Sequence, residues 1–246
     1  MTSKKDNIFL DSNLSSIGSF AFDQRVVSVF DDMVSRSVPG YASIQLLLSD
    51  LVLKFANDGA VLDIGCSTGE TILAIHKRAK LLDVTPPKCI GFDTSSQMIH
   101  KAEQKLSGLS NVELKVADLT QSDLLKQLSP SVIVASLVLQ FIDPTKRQEI
   151  INSMYTALKD GGALLLIEKT VEQNDSMNKI FIDYYHSFKK EMGYSDLEIA
   201  NKRDALENVL IPCTRQQNTQ MLTQAGFKNV ATFFQWFNFC GFLAIK

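Results

Sequence analysis

The chain is 246 residues long and 45% hydrophobic, enough to bury one full core, and doubly wound sheets of this size fold as single domains. Its 25 Lys and Arg are outnumbered by 27 Asp and Glu, for a net charge of −2, so it lacks the basic field that direct RNA binding draws on, and no nucleic-acid contact is expected. The N-terminus lacks a long apolar region and no uninterrupted apolar run of 18 residues occurs, so neither a signal peptide nor a membrane span is expected, and the location expected is cytoplasmic.

Residues 1–20 are polar and interrupted by Asn, Ser and Gly, the composition of a flexible tail, and 21–246 read as one domain. From Phe22 to Ser37 the residues Val26, Val27, Phe30, Met33 and Val34 recur at helical spacing until Pro39-Gly40 ends the helix. A second helix runs from Tyr41 to Phe55. Alternating units follow: strand 60–64 and helix 69–80, strand 88–92 and helix 95–107, strand 111–116 and a short helix 121–128. Strand 131–136, helix 144–159 and strand 163–168 complete an alternation that predicts a mostly parallel sheet with helices on both faces. Near the end, Asn229–Phe234 and Gly241–Ile245 leave no room for a helix between them and predict an antiparallel hairpin at the sheet edge. Residues 172–212 fit no core element. They carry Tyr184, Tyr185, His186, Lys189, Lys202 and Arg203, and read as a helical lid over the carboxyl ends of the strands, where doubly wound sheets bind ligands.

The chemistry concentrates at three strand tips. Ala60-Val-Leu-Asp-Ile-Gly-Cys-Ser-Thr-Gly69 is an apolar strand ending in Asp-x-Gly-x-x-x-Gly, and glycines at 65 and 69 permit a tight turn whose bare backbone can touch a ligand. The spacing is not G-x-G-x-x-G and no Lys-Ser/Thr pair follows, so the turn suits a nucleoside without a polyphosphate. The next strand ends at Asp93, where a carboxylate can accept from a ribose diol, and the third ends at Asp118. The competing reading is that Asp63, Asp93 and Asp118 only cap the helices that follow. The cysteines at 66, 89, 213 and 240 show no C-x-x-C or His-paired spacing and read as buried free thiols, so neither a metal nor a disulfide is expected. His76 and His100 are expected on exposed helix faces.

Three tips carrying Asp-x-Gly, Asp and Asp, followed by the terminal hairpin, resemble the Rossmann-like class I S-adenosylmethionine-dependent methyltransferase fold, with a mostly parallel seven-stranded sheet. A narrower resemblance rests on Arg36-Ser-Val-Pro-Gly-Tyr41, Asp63-Ile-Gly-Cys-Ser67, Leu139-Gln-Phe-Ile142, Gly193-Tyr-Ser-Asp-Leu-Glu-Ile199 with Lys202-Arg203, Leu206-Glu-Asn-Val209, and Phe234-Gln-x-Phe-Asn-Phe. From about Phe20 to the C-terminus the chain resembles the carboxy-S-adenosylmethionine synthases. The resemblance implies conversion of S-adenosylmethionine and prephenate into carboxy-S-adenosylmethionine and phenylpyruvate, the product serving a separate enzyme that modifies the wobble uridine of certain tRNAs. It also implies a homodimer. The sulfonium acidifies its methyl group, which can lose a proton and capture carbon dioxide released beside it, so the protein must hold the reactants together and keep water out.

Carried over residue by residue, the resemblance implies that Gly65, Cys66 and Ser67 cradle the ligand by their backbone, Asp93 and Thr94 hold the ribose, and Asp118 and Leu119 meet the adenine edge. It makes Tyr41 a contact of the methionine carboxylate and Arg203 the carboxylate-binding catalytic residue, a role suited to a guanidinium fork. Two departures stand out: the family commonly shows Asn-Ser after the second acid where this chain has Thr94-Ser95, and an Asn on the fourth strand where it has Ser136, whose hydroxyl is too short to copy an amide. Tyr184, Tyr185 and His186 are candidates for the second pocket or for packing. Two other functions stay open at this stage, a conventional methyltransferase making S-adenosylhomocysteine and a non-catalytic S-adenosylmethionine-binding subunit.

Overall fold

The computed structural model describes residues 5–10, 23–56, 59–118, 125 and 128–246. Two helices, α1 (Gln24–Ser37) and α2 (Tyr41–Phe55), precede the sheet. Then come β1 (Val61–Ile64), α3 (Glu70–Leu81), β2 (Cys89–Asp93), α4 (Ser96–Leu106), β3 (Val112–Val116), β4 (Val132–Ser136), α5 (Pro144–Ala157) and β5 (Ala163–Val171). The lid region holds α6 (Asp175–Glu191) and α7 (Asp196–Leu206), and β6 (Cys213–Thr214), α8 (Arg215–Ala225), β7 (Asn229–Trp236) and β8 (Phe239–Ile245) close the chain.

Strand order is β3-β2-β1-β4-β5-β8-β7, with β6 joined to the far end of β5. β1 to β5 are parallel, while β8 runs antiparallel to both β5 and β7. The order reverses at β1 and β4, the switch point beside which such sheets open a crevice. The predicted hairpin is present and longer than expected, turning at Phe237, whose φ is +39°.

Period-two alternation sorts the central strands. Leu62, Ile64, Ile133, Ala135, Leu164 and Leu166 pack with α5 and α8, whereas Val61, Val132, Val134, Leu165 and Ile167 pack with α2 and α3. Each large aliphatic buried this way contributes about 1.5–3 kcal/mol by leaving water. The same alternation decides the site, because at the carboxyl ends Asp63, Ser136 and Lys169 share the α2 side while Glu168 points to the α5 side. Helix ends are set locally: Asp23 caps α1, Ser195 and Glu198 form a capping box on α7, and Thr214 and Gln217 form another on α8.

Several expectations need correction. Residues 5–10 of the expected tail are docked: Asp6 and Phe9 are only 1% and 2% exposed, the Tyr194 hydroxyl donates to Asp6 at 2.7 Å, and Asn201 donates to the Phe9 carbonyl at 2.9 Å. The polar composition of this stretch conceals that its carboxylate and carbonyls are partners for α1 and the lid. His76 is buried at 7% exposure because the α3 face that carries it packs on α2, and burial lowers its pKa. Cys213 is half-buried, receiving a bond from Arg147 at 3.0 Å between Nη1 and Sγ. Most of the predicted helix 121–128 lies outside the described residues.

Candidate active site

Gly65 adopts φ +65°, and a Cβ there would stand 2.5 Å from Val138 Cγ2, so the turn after β1 needs glycine both for its conformation and for the close approach of the β4 loop. Ser67 takes φ +49° without that freedom, held because its N–H donates to Asp93 Oδ2 at 2.9 Å. The Thr68 hydroxyl is tied to Asp31 of α1, and Lys105 bridges Asp31, Thr68 and Glu70 at 2.9–3.0 Å, which locks the turn to α1 and α4. The other oxygen of Asp93 accepts from Ser95 N–H at 2.9 Å, while burial raises its pKa. The Cys66 thiol is pushed up strongly by burial and by Asp63 and Asp93, which removes it as a nucleophile at neutral pH.

Asp63 is 2% exposed, and among the described residues its Oδ2 has no hydrogen-bond partner. Burial, then the neighbouring Asp93, pushes its pKa up to about 8. An unsatisfied carboxylate beside a second one is costly unless a cation joins them. Tyr41 stands close by, its hydroxyl pKa raised by burial and by Glu70, Asp31 and Asp63, so this end of the site is acidic. The open Asp63 oxygen fits a positively charged group of a ligand.

Across the switch point, buried Glu168 accepts the N–H groups of Val138, Leu139 and Gln140 at 3.1, 2.9 and 2.9 Å. Burial nevertheless outweighs these bonds and pushes its pKa up to about 8. This carboxyl group fixes the 3-10 turn at Leu139–Phe141, which follows Leu137, a residue at the cavity wall that takes φ +62° with its N–H donated to the Ile167 carbonyl at 2.7 Å. Arg147, 2% exposed, braces the same loop from below by donating to the carbonyls of Ile142 and Ile211 at 2.9 and 2.7 Å.

A cavity of about 1020 Å³ opens over the strand tips, walled by α1 and by the lid helices α6 and α7. Its lid side is basic. Lys202 is 6% exposed, donates to Ser37 Oγ at 2.8 Å and lies 3.8 Å from Asp6, and burial lowers its pKa to about 8. Arg203 lines the mouth with its side chain 66% exposed, both its Nε and Nη2 resting on Asp204 Oδ1 at 3.0 and 2.9 Å. Tyr185 and His186 line the cavity, but Tyr184 is 57% exposed and stacks on Phe237 at 4.8 Å, a packing role. Among the described residues no group of three His, Cys, Asp or Glu is arranged to hold a metal, and no helix is long and apolar enough to cross a membrane.

Tyr41, Gly65, Cys66, Ser67, Asp93, Thr94, Asp118, Ser136 and Arg203 are thus brought to one cavity, while Leu119 lies outside the described residues. Two contributors escape a reading of the sequence, the α1 face carrying Phe30, Met33 and Ser37, and Lys169, while Asp63, weighed there as a strand-tip acid or a cap, and Lys189, placed there in the lid, both line the cavity. A signal existed for Lys169, since it follows Glu168 at the carboxyl end of the fifth strand, where ligand-facing residues belong. None existed for α1, whose spacing says only that one face is buried.

The fold and this cavity define the class, an enzyme built on the S-adenosylmethionine-dependent methyltransferase fold. A family model described as "Methyltransferase domain" matches residues 61–162. An O-methyltransferase family protein from Burkholderia thailandensis superposes with a TM-score of 0.65 at 17% identity over 92% of this chain and 60% of that one. Human N-acetylserotonin methyltransferase in complex with SAM gives 0.61 at 17% identity over 90% and 55%. The chain therefore spans little more than half the length of these two structures, which share its fold. Sequence comparison is narrower. Carboxy-S-adenosyl-L-methionine synthase of Nautilia profundicola is 43% identical over 92% of this chain and 94% of its own, and that of Desulfotalea psychrophila 41% identical over 100% and 99%. The same enzyme of Idiomarina loihiensis is 42% identical over 98% of both. The chain belongs to the carboxy-S-adenosyl-L-methionine synthase family.

Proposed function

We propose that the chain converts S-adenosylmethionine and prephenate into carboxy-S-adenosylmethionine and phenylpyruvate, and that its product feeds modification of the wobble uridine of tRNA by a separate enzyme. The supporting observation is the two-ended cavity: unsatisfied Asp63 beside Asp93 at the strand tips, and buried lysines under the lid. A sulfonium cation suits the first end and a dicarboxylate the second, which sets the two reactants face to face. Prephenate gives up carbon dioxide and hydroxide to become phenylpyruvate. The hydroxide takes one proton from the methyl group of S-adenosylmethionine and leaves as water, and the carbon dioxide ends as a carboxylate on that carbon. The walls contributed by α1, α6 and α7 serve to exclude water from this exchange.

In this reading Gly65, Cys66 and Ser67 present their backbone to the methionyl part, Tyr41 meets its carboxylate, Asp93 and Thr94 hold the ribose, and Asp118 and Leu119 the adenine. Ser136 contributes a single hydroxyl at the β4 tip. Arg203 receives the carboxylate being transferred. The chain works without a metal, as a cytoplasmic homodimer, with no direct contact to nucleic acid or membrane.

Incubating purified protein with S-adenosylmethionine and prephenate should yield a nucleoside heavier than the substrate by one carbon dioxide in mass spectrometry. Demethylated nucleoside, or prephenate left untouched, rejects the reading. Asp93→Ala is expected to weaken nucleoside binding by about 1–3 kcal/mol, the loss of one ionic acceptor. Titration calorimetry showing unchanged affinity would remove Asp93 from the site.

A further inference from the structure

Among the described residues, two lysines of this cavity lack the partners that other cations of the protein have. Arg36 is paired with Asp32, Arg147 donates to carbonyls, and Lys202 has Ser37 and Asp6. Lys169, from the tip of β5, and Lys189, from α6, both line the cavity, and among the described residues neither has a carboxylate in ion-pair reach. What they share is the ring of Tyr185, whose centroid lies 4.9 Å from Lys169 Nζ and 4.5 Å from Lys189 Nζ. The Tyr185 hydroxyl already donates to the Ser37 carbonyl at 2.9 Å, so only the π face serves the ammonium groups. A cation–π contact contributes about 0.5–2 kcal/mol, less than desolvating a charge costs.

Lys189 is 5% exposed. Its burial, with Lys202 and Lys169 adding repulsion, lowers its pKa to about 6, and an incoming anion would reverse the effect. Two lysines flanking one aromatic face in a ligand-sized cavity, the Lys189 amine taking up a proton as the anion enters, form a receptor for a carboxylate attached to a flat or unsaturated carbon frame. Arg203 lies on another helix at the mouth, so the cavity offers two separate anion positions to a dianion.

Resting on the function proposed above, we propose that Lys169 and Lys189 bind the carboxylate of prephenate that is retained in phenylpyruvate. The choice between the two carboxylates follows from charge. A carboxylate leaving as carbon dioxide gives up its negative charge, and two ammonium groups gripping it would stabilise the ground state and oppose departure. The retained carboxylate keeps its charge throughout and anchors the donor without that penalty. Phenylpyruvate, which has only this carboxylate, remains a ligand of the pair.

The test uses full-length protein saturated with S-adenosylmethionine and the variants Lys169→Met and Lys189→Met. Each is expected to raise both the prephenate KM and the phenylpyruvate inhibition constant about 30-fold, the scale of one lost hydrogen bond to a charged group. S-adenosylmethionine affinity should stay within about twofold. Replacing a lysine that has no carboxylate partner with an apolar chain of similar length should leave the melting temperature equal or higher, whereas a structural lysine would lower it. Arg203→Ala, measured by calorimetry, should keep its affinity for phenylpyruvate. Wild-type turnover of prephenate combined with unchanged constants in both lysine variants overturns the lysine site and leaves the functional reading standing. A wild-type protein inert toward prephenate overturns the functional reading itself.

Discussion

Arg203→Ala is expected to slow carboxyl transfer by about 100- to 1000-fold, the range for removing a donor that meets developing or transferred negative charge. S-adenosylmethionine affinity should change by less than about twofold. The separation is expected because Arg203 stands at the mouth on α7, on the basic side of the cavity, away from Asp63 and Asp93. With its side chain 66% exposed and resting on the adjacent Asp204, it contributes little to stability, so the variant should fold and melt as the wild type does. Both donors rest on a single oxygen of Asp204, an arrangement that an incoming carboxylate can replace with two parallel bonds. Arg203→Lys keeps the charge but loses the fork, and should recover only part of the rate. Single-turnover mass spectrometry measures the rate and calorimetry the affinity. Equal loss of both would make Arg203 a structural residue.

How far the sequence revealed this site depends on whether a residue's role is local or assembled. The glycine turn and the acid at 93 were legible because glycine spacing and a strand-end carboxylate are local features, and the structure ties them together through Asp93 and the Ser67 N–H. The parallel order, the hairpin and the lid followed from alternation and from the lack of space for a helix between the last two runs. Residues 5–10 were misread because their role lies in partners far along the chain, Tyr194 and Asn201. Lys169 was missed because the fifth strand continues to Val171, past the end expected at 168, so that Glu168 and Lys169 fall on opposite faces. One braces the β4 loop and the other faces the ligand cavity, a division that only strand register reveals. The α1 wall is also beyond sequence reading, since apolar periodicity marks a buried face but not whether it meets core or cavity.

Asp63→Asn should produce the second large effect, a fall of about 30- to 100-fold in S-adenosylmethionine affinity, the scale of one charge-assisted contact in a dry site. In the free protein the Asp63 pKa lies at about 8, so at neutral pH the carboxyl is largely protonated. A cation placed beside it favours the ionised form. Binding should therefore release a proton near pH 7, and wild-type affinity should rise between about pH 6 and pH 9, whereas the amide of the Asp63→Asn variant carries no such dependence. Stability moves the other way. Because folding raises this pKa above its ordinary value of 3.8, the contribution of Asp63 is complete below pH 3.8 and is lost as pH climbs through about 8. The asparagine variant should thus melt above wild type at about pH 9, with the difference shrinking toward about pH 4. Calorimetry in two buffers of different ionisation enthalpy reads the proton directly. A binding enthalpy independent of buffer, together with unchanged affinity in Asp63→Asn, would show that the cation lies elsewhere and that this buried acid belongs to the scaffold.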